Sequence, residues 1–124
     1  MVDFSLISDT YDKIGQHVVE TPLLESSFLS KRLNKRVLIK AECLQKTGSF
    51  KYRGSWSSFV NNDIKDLKKG VLAYSSGNHA QGIAAVSNEL KIQATIIMPK
   101  DAPRLKIKNT CLLYTSPSPR DNRV

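Results

Sequence analysis

Cysteine is scarce in this chain: its 124 residues hold only Cys43 and Cys111. Two thiols close at most one disulfide, and neither sits in a C-x-x-C pair or at a zinc-like spacing from a histidine. A disulfide-built scaffold and a structural zinc site are therefore not what organises the chain. Long apolar runs are missing too. No stretch approaches the ~20 residues that cross a bilayer, and the opening MVDFSLISDT has neither the basic start nor the apolar centre of a secretory signal. These absences set the expectation of a cytoplasmic protein with no membrane partner. Acidic residues are outnumbered 11 to 19 by basic ones, for a formal net charge of +8. That surplus is dispersed over residues 31–36, 65–69 and 104–108, with no interleaved aromatics on which bases could stack. It reads as a solvated surface, and no nucleic-acid partner is expected.

What remains is ordinary globular material, 40% hydrophobic and 24% charged, enough for one small domain at most. Leu6, Ile7, Tyr11 and Ile14 recur at helical steps, predicting a first helix over 5–14. A short helix over 27–33 follows the break at Pro22, and RVLIKAE predicts a strand over 37–41. Trp56, Phe59, Val60, Ile64 and Leu67 mark an amphipathic helix that starts near Ser49 as N-cap, loses regularity at 61–63 and stops at Gly70. The strand 71–75, the helix 79–90 burying Ile83, Val86 and Leu90 or their neighbours, and the strand 94–99 form a βαβ unit. Its two strands should therefore pair in parallel.

The end of the chain is different. Residues 111–121, CLLYTSPSPRD, carry no helical or strand period that matches what precedes them. Back-translated, the stretch resembles a sequencing-library adapter read in frame. Residues 111–124 are accordingly expected to be non-native, with the gene's own product continuing differently after about Thr110. Cys43 is then the one remaining cysteine.

Two segments carry candidate chemistry. SSGNHAQG, residues 75–82, lies where a strand ends and a helix begins, the place where open α/β sheets bind ligands. Unpaired backbone N–H groups at a helix start favour a phosphate or carboxylate. Gly77 permits close approach, and Ser75, Ser76, Asn78 and His79 add hydrogen-bonding side chains. Read from the residues alone, the segment is equally a well-capped helix, because Ser and Asn cap helices without any further function. In TGSFKYRG, residues 47–54, Lys51 falls in the first turn of a helix with Phe50 beside it. The helix dipole and a shielding ring would both disfavour its charge, which suits a lysine that condenses with a carbonyl. The alternative is a lysine stretched past Phe50 to water.

KTGSFKYRG followed by AYSSGNHAQG, with TPLLES upstream and ATIIMPKDAP downstream, resembles the threonine/serine dehydratase and serine racemase family. These enzymes depend on pyridoxal 5'-phosphate (PLP), and the likeness covers nearly all of residues 20–110 in order and spacing. It implies an α/β fold of type II, the tryptophan synthase beta-like class, with a parallel sheet and flanking helices. By position, Lys51 resembles the lysine that carries PLP and moves protons at Cα, and Phe50 the residue packed beside it. Asn78 matches the side chain that bonds the phenolic oxygen of the PLP ring. Ser75, Ser76, Asn78 and His79 match the loop that receives the substrate carboxylate. Ser76 also matches the serine that serves the opposite face of Cα in the racemases. The implied reaction converts L-threonine or L-serine, as small hydroxy amino acid substrates, to a 2-oxo acid and ammonia; racemisation shares its first half.

Two of the family's elements have no counterpart here. The phosphate of PLP is held in the family by a glycine-rich loop further along the chain, whereas no two of the six glycines here are adjacent. The partner of the pyridine nitrogen also lies further on. The resemblance therefore implies a truncated chain: residues 1–70 as the start of the large domain, 71–110 as the first part of the small one, and a homo-oligomer at full length. Three readings stand: a PLP-dependent lyase, an amino-acid racemase of the same family, and a non-catalytic βαβ piece whose motifs are only caps and turns.

Overall fold

The computed structural model describes residues 3–114. Helix α1, Phe4–Ile14, is capped by Asp3, whose carboxylate accepts from the Leu6 N–H. Of the four apolar residues that predicted it, only Ile14 is buried; Leu6, Ile7 and Tyr11 face outward. Strand β1, Leu23–Glu25, pairs antiparallel with β2, Leu38–Lys40, across helix α2, Ser27–Leu33. Ser26 caps α2 at one end and Asn34 closes it at the other in the left-handed region, at φ 48°. The strand expected over 37–41 is thus present but belongs to an antiparallel hairpin-like pair, set apart from the βαβ unit. Its three-residue partner just after Pro22 was too short for alternation to reveal.

Helix α3, Lys51–Val60, buries Tyr52, Ser55, Trp56 and Phe59, the i, i+3, i+4, i+7 face of an amphipathic helix. Regularity fails at 61–63 as expected, and a single turn, α4 (Ile64–Leu67), restarts on the side chain of Asp63. Gly70, at φ +96°, makes the turn into β3, Val71–Tyr74. Helix α5, Asn78–Leu90, returns the chain to β4, Ala94–Ile97, which pairs with β3 in parallel from Val71↔Ala94 to Tyr74↔Ile97. The βαβ unit is as expected. On α5, Ile83 and Val86 are buried with Ala80, Ala84 and Ser87, while Leu90 turns outward.

A sixth helix, α6 (Arg104–Leu113), was not foreseen. It passes through Cys111–Leu113, where the sequence showed no helical period, and the Tyr114 hydroxyl accepts from the Ala94 N–H at 2.8 Å. The rest of the stretch read as non-native, residues 115–124, lies outside the described residues.

The core forms where α3 crosses α5, with Trp56, Tyr52 and Phe59 of α3 meeting Ile83 and Val86 of α5 and Ala73 of β3. A smaller cluster of Ala80, Met98 and Ala102 seats α6 through Ile107. Among the described residues nothing covers the other face of the parallel pair, where Leu72 and Tyr74 are each 71% exposed. No helix among the described residues is long and apolar enough to cross a membrane.

Candidate functional site

The loop before α3 is held from several sides. Gly48 takes φ +73°, a left-handed conformation that glycine adopts without a Cβ penalty. Buried Gln45 clamps Val19 through both halves of its amide, accepting from the Val19 N–H at 2.9 Å and donating to its carbonyl at 3.0 Å. Arg53 forks onto Glu42 with two bonds of 2.9 Å and donates a third to the Val19 carbonyl. The Thr21 hydroxyl also donates to Glu42, and Lys40 donates to the Thr21 carbonyl. Arg53 therefore holds the Glu42 carboxyl below the usual carboxylate range, and Glu42 raises the Arg53 guanidinium in turn. Ser49 accepts from the Lys51 N–H at 3.4 Å, a capping contact, although Phe50 is the residue that precedes the first helical position. The QKTGS segment is in this way tied to the strand β1 region before the chain enters α3.

Lys51 opens α3 with its side chain exposed. Its amine lies 5.2 Å from the centroid of the Phe50 ring, but Phe50 is itself 60% exposed. The shielding expected from Phe50 is therefore absent within the described residues, because no other element covers that ring. The lysine amine makes no ion pair or hydrogen bond among those residues.

The second segment follows β3. Ser75 extends the strand by donating its N–H to the Ile97 carbonyl at 3.1 Å, and its hydroxyl accepts from the Gly77 N–H at 3.2 Å. Helix α5 then begins at Asn78 with no side-chain cap. This bears on the capping alternative: none of Ser75, Ser76 or Asn78 satisfies an N–H of the helix's first turn. Ser76, Asn78 and His79 are exposed, and their side chains have no hydrogen-bond partner among the described residues. The start of a 13-residue helix is thus left with unpaired donors and free polar side chains around it.

The two segments meet through Gly82. A Cβ there would run into the Ser55 hydroxyl and come within 3.1 Å of the Lys51 carbonyl oxygen. Gly82 is therefore the glycine that permits the close approach of α3 and α5, one helical turn beyond Asn78. Gly54, which closes the TGSFKYRG stretch, faces open space instead. The backbone of Lys51 is so brought beside α5, while no hydrogen bond joins Lys51 to Ser75, Ser76, Asn78 or His79.

Contacts between residues that no local pattern joins also surround this crossing. His17 stacks on Trp56 at 3.8 Å between ring centroids and lies 3.7 Å from Glu89. Glu89 also accepts from the Tyr52 hydroxyl at 2.8 Å. Burial, with Glu89 adding to it, pushes the Tyr52 phenol up to about 12. These contacts join residues 17, 52, 56 and 89, a distance along the chain that no local pattern spans. Lys106 of α6 lies across Gly77, and only the tertiary packing of α6 reveals it.

Comparison with known proteins assigns this arrangement to a family. The family model described as "Pyridoxal-phosphate dependent enzyme" matches residues 14–113. Over 104 residues the chain is 41% identical to the L-threo-3-hydroxyaspartate ammonia-lyase of Saccharomyces cerevisiae, covering 84% of this chain and 32% of that protein. It is 40% identical over 107 residues to the biosynthetic L-threonine dehydratase of Lactococcus lactis, covering 86% and 26% respectively. The solved structure of maize serine racemase superposes with a TM-score of 0.82 at 31% identity, covering 96% of this chain and 38% of that one. The chain thus spans about a third of the length of the relatives it matches.

Proposed function

The chain belongs to the pyridoxal-phosphate-dependent enzyme family, with the fold of type II, and from that premise we propose that the full-length protein is an ammonia-lyase. Its substrate is a small 3-hydroxy amino acid, L-threonine or L-serine, converted to a 2-oxo acid and ammonia. The observation that carries this reading is the uncapped start of α5 beside the α3 crossing: Ser76, Asn78 and His79 are left free, and Lys51 enters on the neighbouring helix.

The residues present fit one end of PLP. Among the described residues, Lys51 offers an exposed amine with no carboxylate bound to it, the group an aldehyde needs, and Asn78 offers an amide with no partner. When bound, PLP supplies an electron sink for the bond that loses its proton at Cα. In this reading Lys51 holds the cofactor and takes the Cα proton, with Phe50 packed beside it. Asn78 donates to the ring oxygen. Ser75, Ser76, Asn78 and His79 orient the substrate carboxylate, and Ser76 stands at the opposite face of Cα. The anchoring of the QKTGS loop by Gln45 and the Arg53–Glu42 pair fixes where Lys51 enters.

Racemisation of serine is the second reading. It is favoured by the free hydroxyl of Ser76, which can return a proton to the face opposite Lys51, and by the likeness to maize serine racemase. The test is an assay of the full-length protein with L-threonine, L-serine, D-serine and L-threo-3-hydroxyaspartate, reading 2-oxo acid, ammonia and enantiomer. Release of ammonia with a 2-oxo acid from L-threonine or L-serine supports the lyase. Interconversion of serine enantiomers without ammonia replaces it with the racemase, and inertness toward all four substrates overturns both.

A further inference from the structure

We propose that Glu89 is a positioning residue for the cofactor: held by the Tyr52 hydroxyl, it fixes the angle at which α5 crosses α3 and so sets where Asn78 stands relative to Lys51. Two contacts define that crossing. The first is the tight one at Gly82, where a Cβ would meet the Ser55 hydroxyl and the Lys51 carbonyl oxygen. The second lies near the far end of α5, where one oxygen of Glu89 accepts from the Tyr52 hydroxyl at 2.8 Å. Its other oxygen lies 3.7 Å from His17, whose ring stacks on Trp56 of α3. Tyr52 directly follows Lys51 on α3 and is buried, so it is a fixed point from which to hold the neighbouring helix. Its phenol, pushed up to about 12, keeps its proton through neutral pH and remains the donor.

Between the two contacts, Ile83 and Val86 pack against the apolar side chains of α3. That attraction resists separation of the helices but has no direction of its own, whereas a hydrogen bond does. Glu89 lies seven residues beyond Gly82 and Asn78 four residues before it. At a rise of about 1.5 Å per residue they stand roughly 10 Å and 6 Å from the contact at Gly82, on opposite sides of it. A turn of α5 about Gly82 that shifts Glu89 by ~1 Å therefore shifts Asn78 by about 0.6 Å the other way. At a binding site a displacement of ~0.5 Å already separates a placed group from a loose one. The inference rests on the reading of Asn78 as the contact to the PLP ring oxygen, and it adds a residue from the opposite end of α5 that this reading does not use.

The test measures the dissociation constant of PLP from the full-length protein, unmodified and as Tyr52→Phe, Glu89→Ala, Glu89→Gln and Asn78→Ala. Tyr52→Phe and Glu89→Ala are also each combined with Asn78→Ala; the Glu89 pair repeats the comparison without altering the core. Tyr52→Phe and Glu89→Ala should each weaken PLP about tenfold, the cost of a misplaced contact. Glu89→Gln keeps an oxygen for the Tyr52 hydroxyl and should bind PLP as the wild type does. In the Asn78→Ala background neither change should weaken PLP further, since the group they displace is already gone. A role in folding alone would weaken PLP equally with and without Asn78, and that result overturns the inference. Unchanged PLP affinity in Glu89→Ala overturns it too, as does a loss in Glu89→Gln as large as that in Glu89→Ala. If Asn78→Ala itself leaves PLP affinity unchanged, the reading of Asn78 falls and the inference with it. If Asn78→Ala weakens PLP while Tyr52→Phe does not, only the inference falls.

Discussion

Replacing Gly82 by alanine probes the contact on which the site's placement depends. In an exposed helix interior the change would stabilise by about 1 kcal/mol, since alanine restricts the unfolded chain and favours the helix. At Gly82 the new methyl group meets the Ser55 hydroxyl and stands 3.1 Å from the Lys51 carbonyl oxygen and 3.3 Å from its carbon. Ser55 has no room to yield, because it is fully buried and its hydroxyl donates to that same Lys51 carbonyl at 3.0 Å. Overpacking of this kind costs about 1–3 kcal/mol, enough to outweigh the helix gain. Gly82→Ala in the full-length protein should therefore lower stability in urea by about 1 kcal/mol and weaken PLP binding, because the displaced atoms belong to Lys51. The double change Ser55→Ala with Gly82→Ala removes the worst contact and should recover part of both losses. Gly54→Ala is the control: it lies in α3 over open space and should stabilise by about 1 kcal/mol. Stabilisation by Gly82→Ala comparable to that control would refute the crossing geometry.

Three further outcomes are expected. Asn78→Ala should weaken PLP binding by about 1.5–3 kcal/mol, the loss of a hydrogen bond to a charged oxygen, with the circular dichroism spectrum unchanged. An unchanged cofactor affinity would return Asn78 to an ordinary helix start. Glu42→Gln should destabilise by about 1–2 kcal/mol at neutral pH, since it leaves the part-buried Arg53 guanidinium without its charge partner. The folded carboxyl sits below its ordinary value of 4.5, so its contribution is complete above that value and is lost as pH falls through the lower folded one. The variant's deficit should accordingly shrink in urea titrations below about pH 4, and a deficit independent of pH would contradict the pairing. Residues 1–124 supplied with PLP should release no ammonia from L-serine or L-threonine, because no two of the six glycines are adjacent to cradle the phosphate. Turnover above a Lys51→Ala control would contradict that.

The parts of this fold that were legible in the sequence are those whose cause is local. The βαβ unit announced itself through two apolar runs around a helical period, and both strands and α5 lie within a residue or two of where they were expected. Trp56 and Phe59 gave α3 its buried face, and the failure of period at 61–63 gave its end. What was hidden depends on residues far apart. The antiparallel β1–β2 pair rests on three-residue strands separated by a helix, too short for alternation to register. No local pattern marks His17, whose partners Trp56 and Glu89 lie far along the chain. Helix α6 was missed because residues 104–108 read as dispersed surface charge and residues from 111 as a non-native tail, which split its ten residues between two other readings. At the site, the two motif segments were visible as sequence. The glycine that lets them meet is Gly82, and it carried no local signal of that role.

The central claim is that Lys51 holds PLP, and chemical trapping tests it most directly. The full-length protein is incubated with PLP, reduced with borohydride to make any bond between cofactor and amine permanent, and mapped by mass spectrometry. The account predicts a phosphopyridoxyl group on the peptide containing Lys51, and its disappearance in Lys51→Ala. A label on another lysine with Lys51 unmodified, or undiminished labelling of Lys51→Ala, would contradict it.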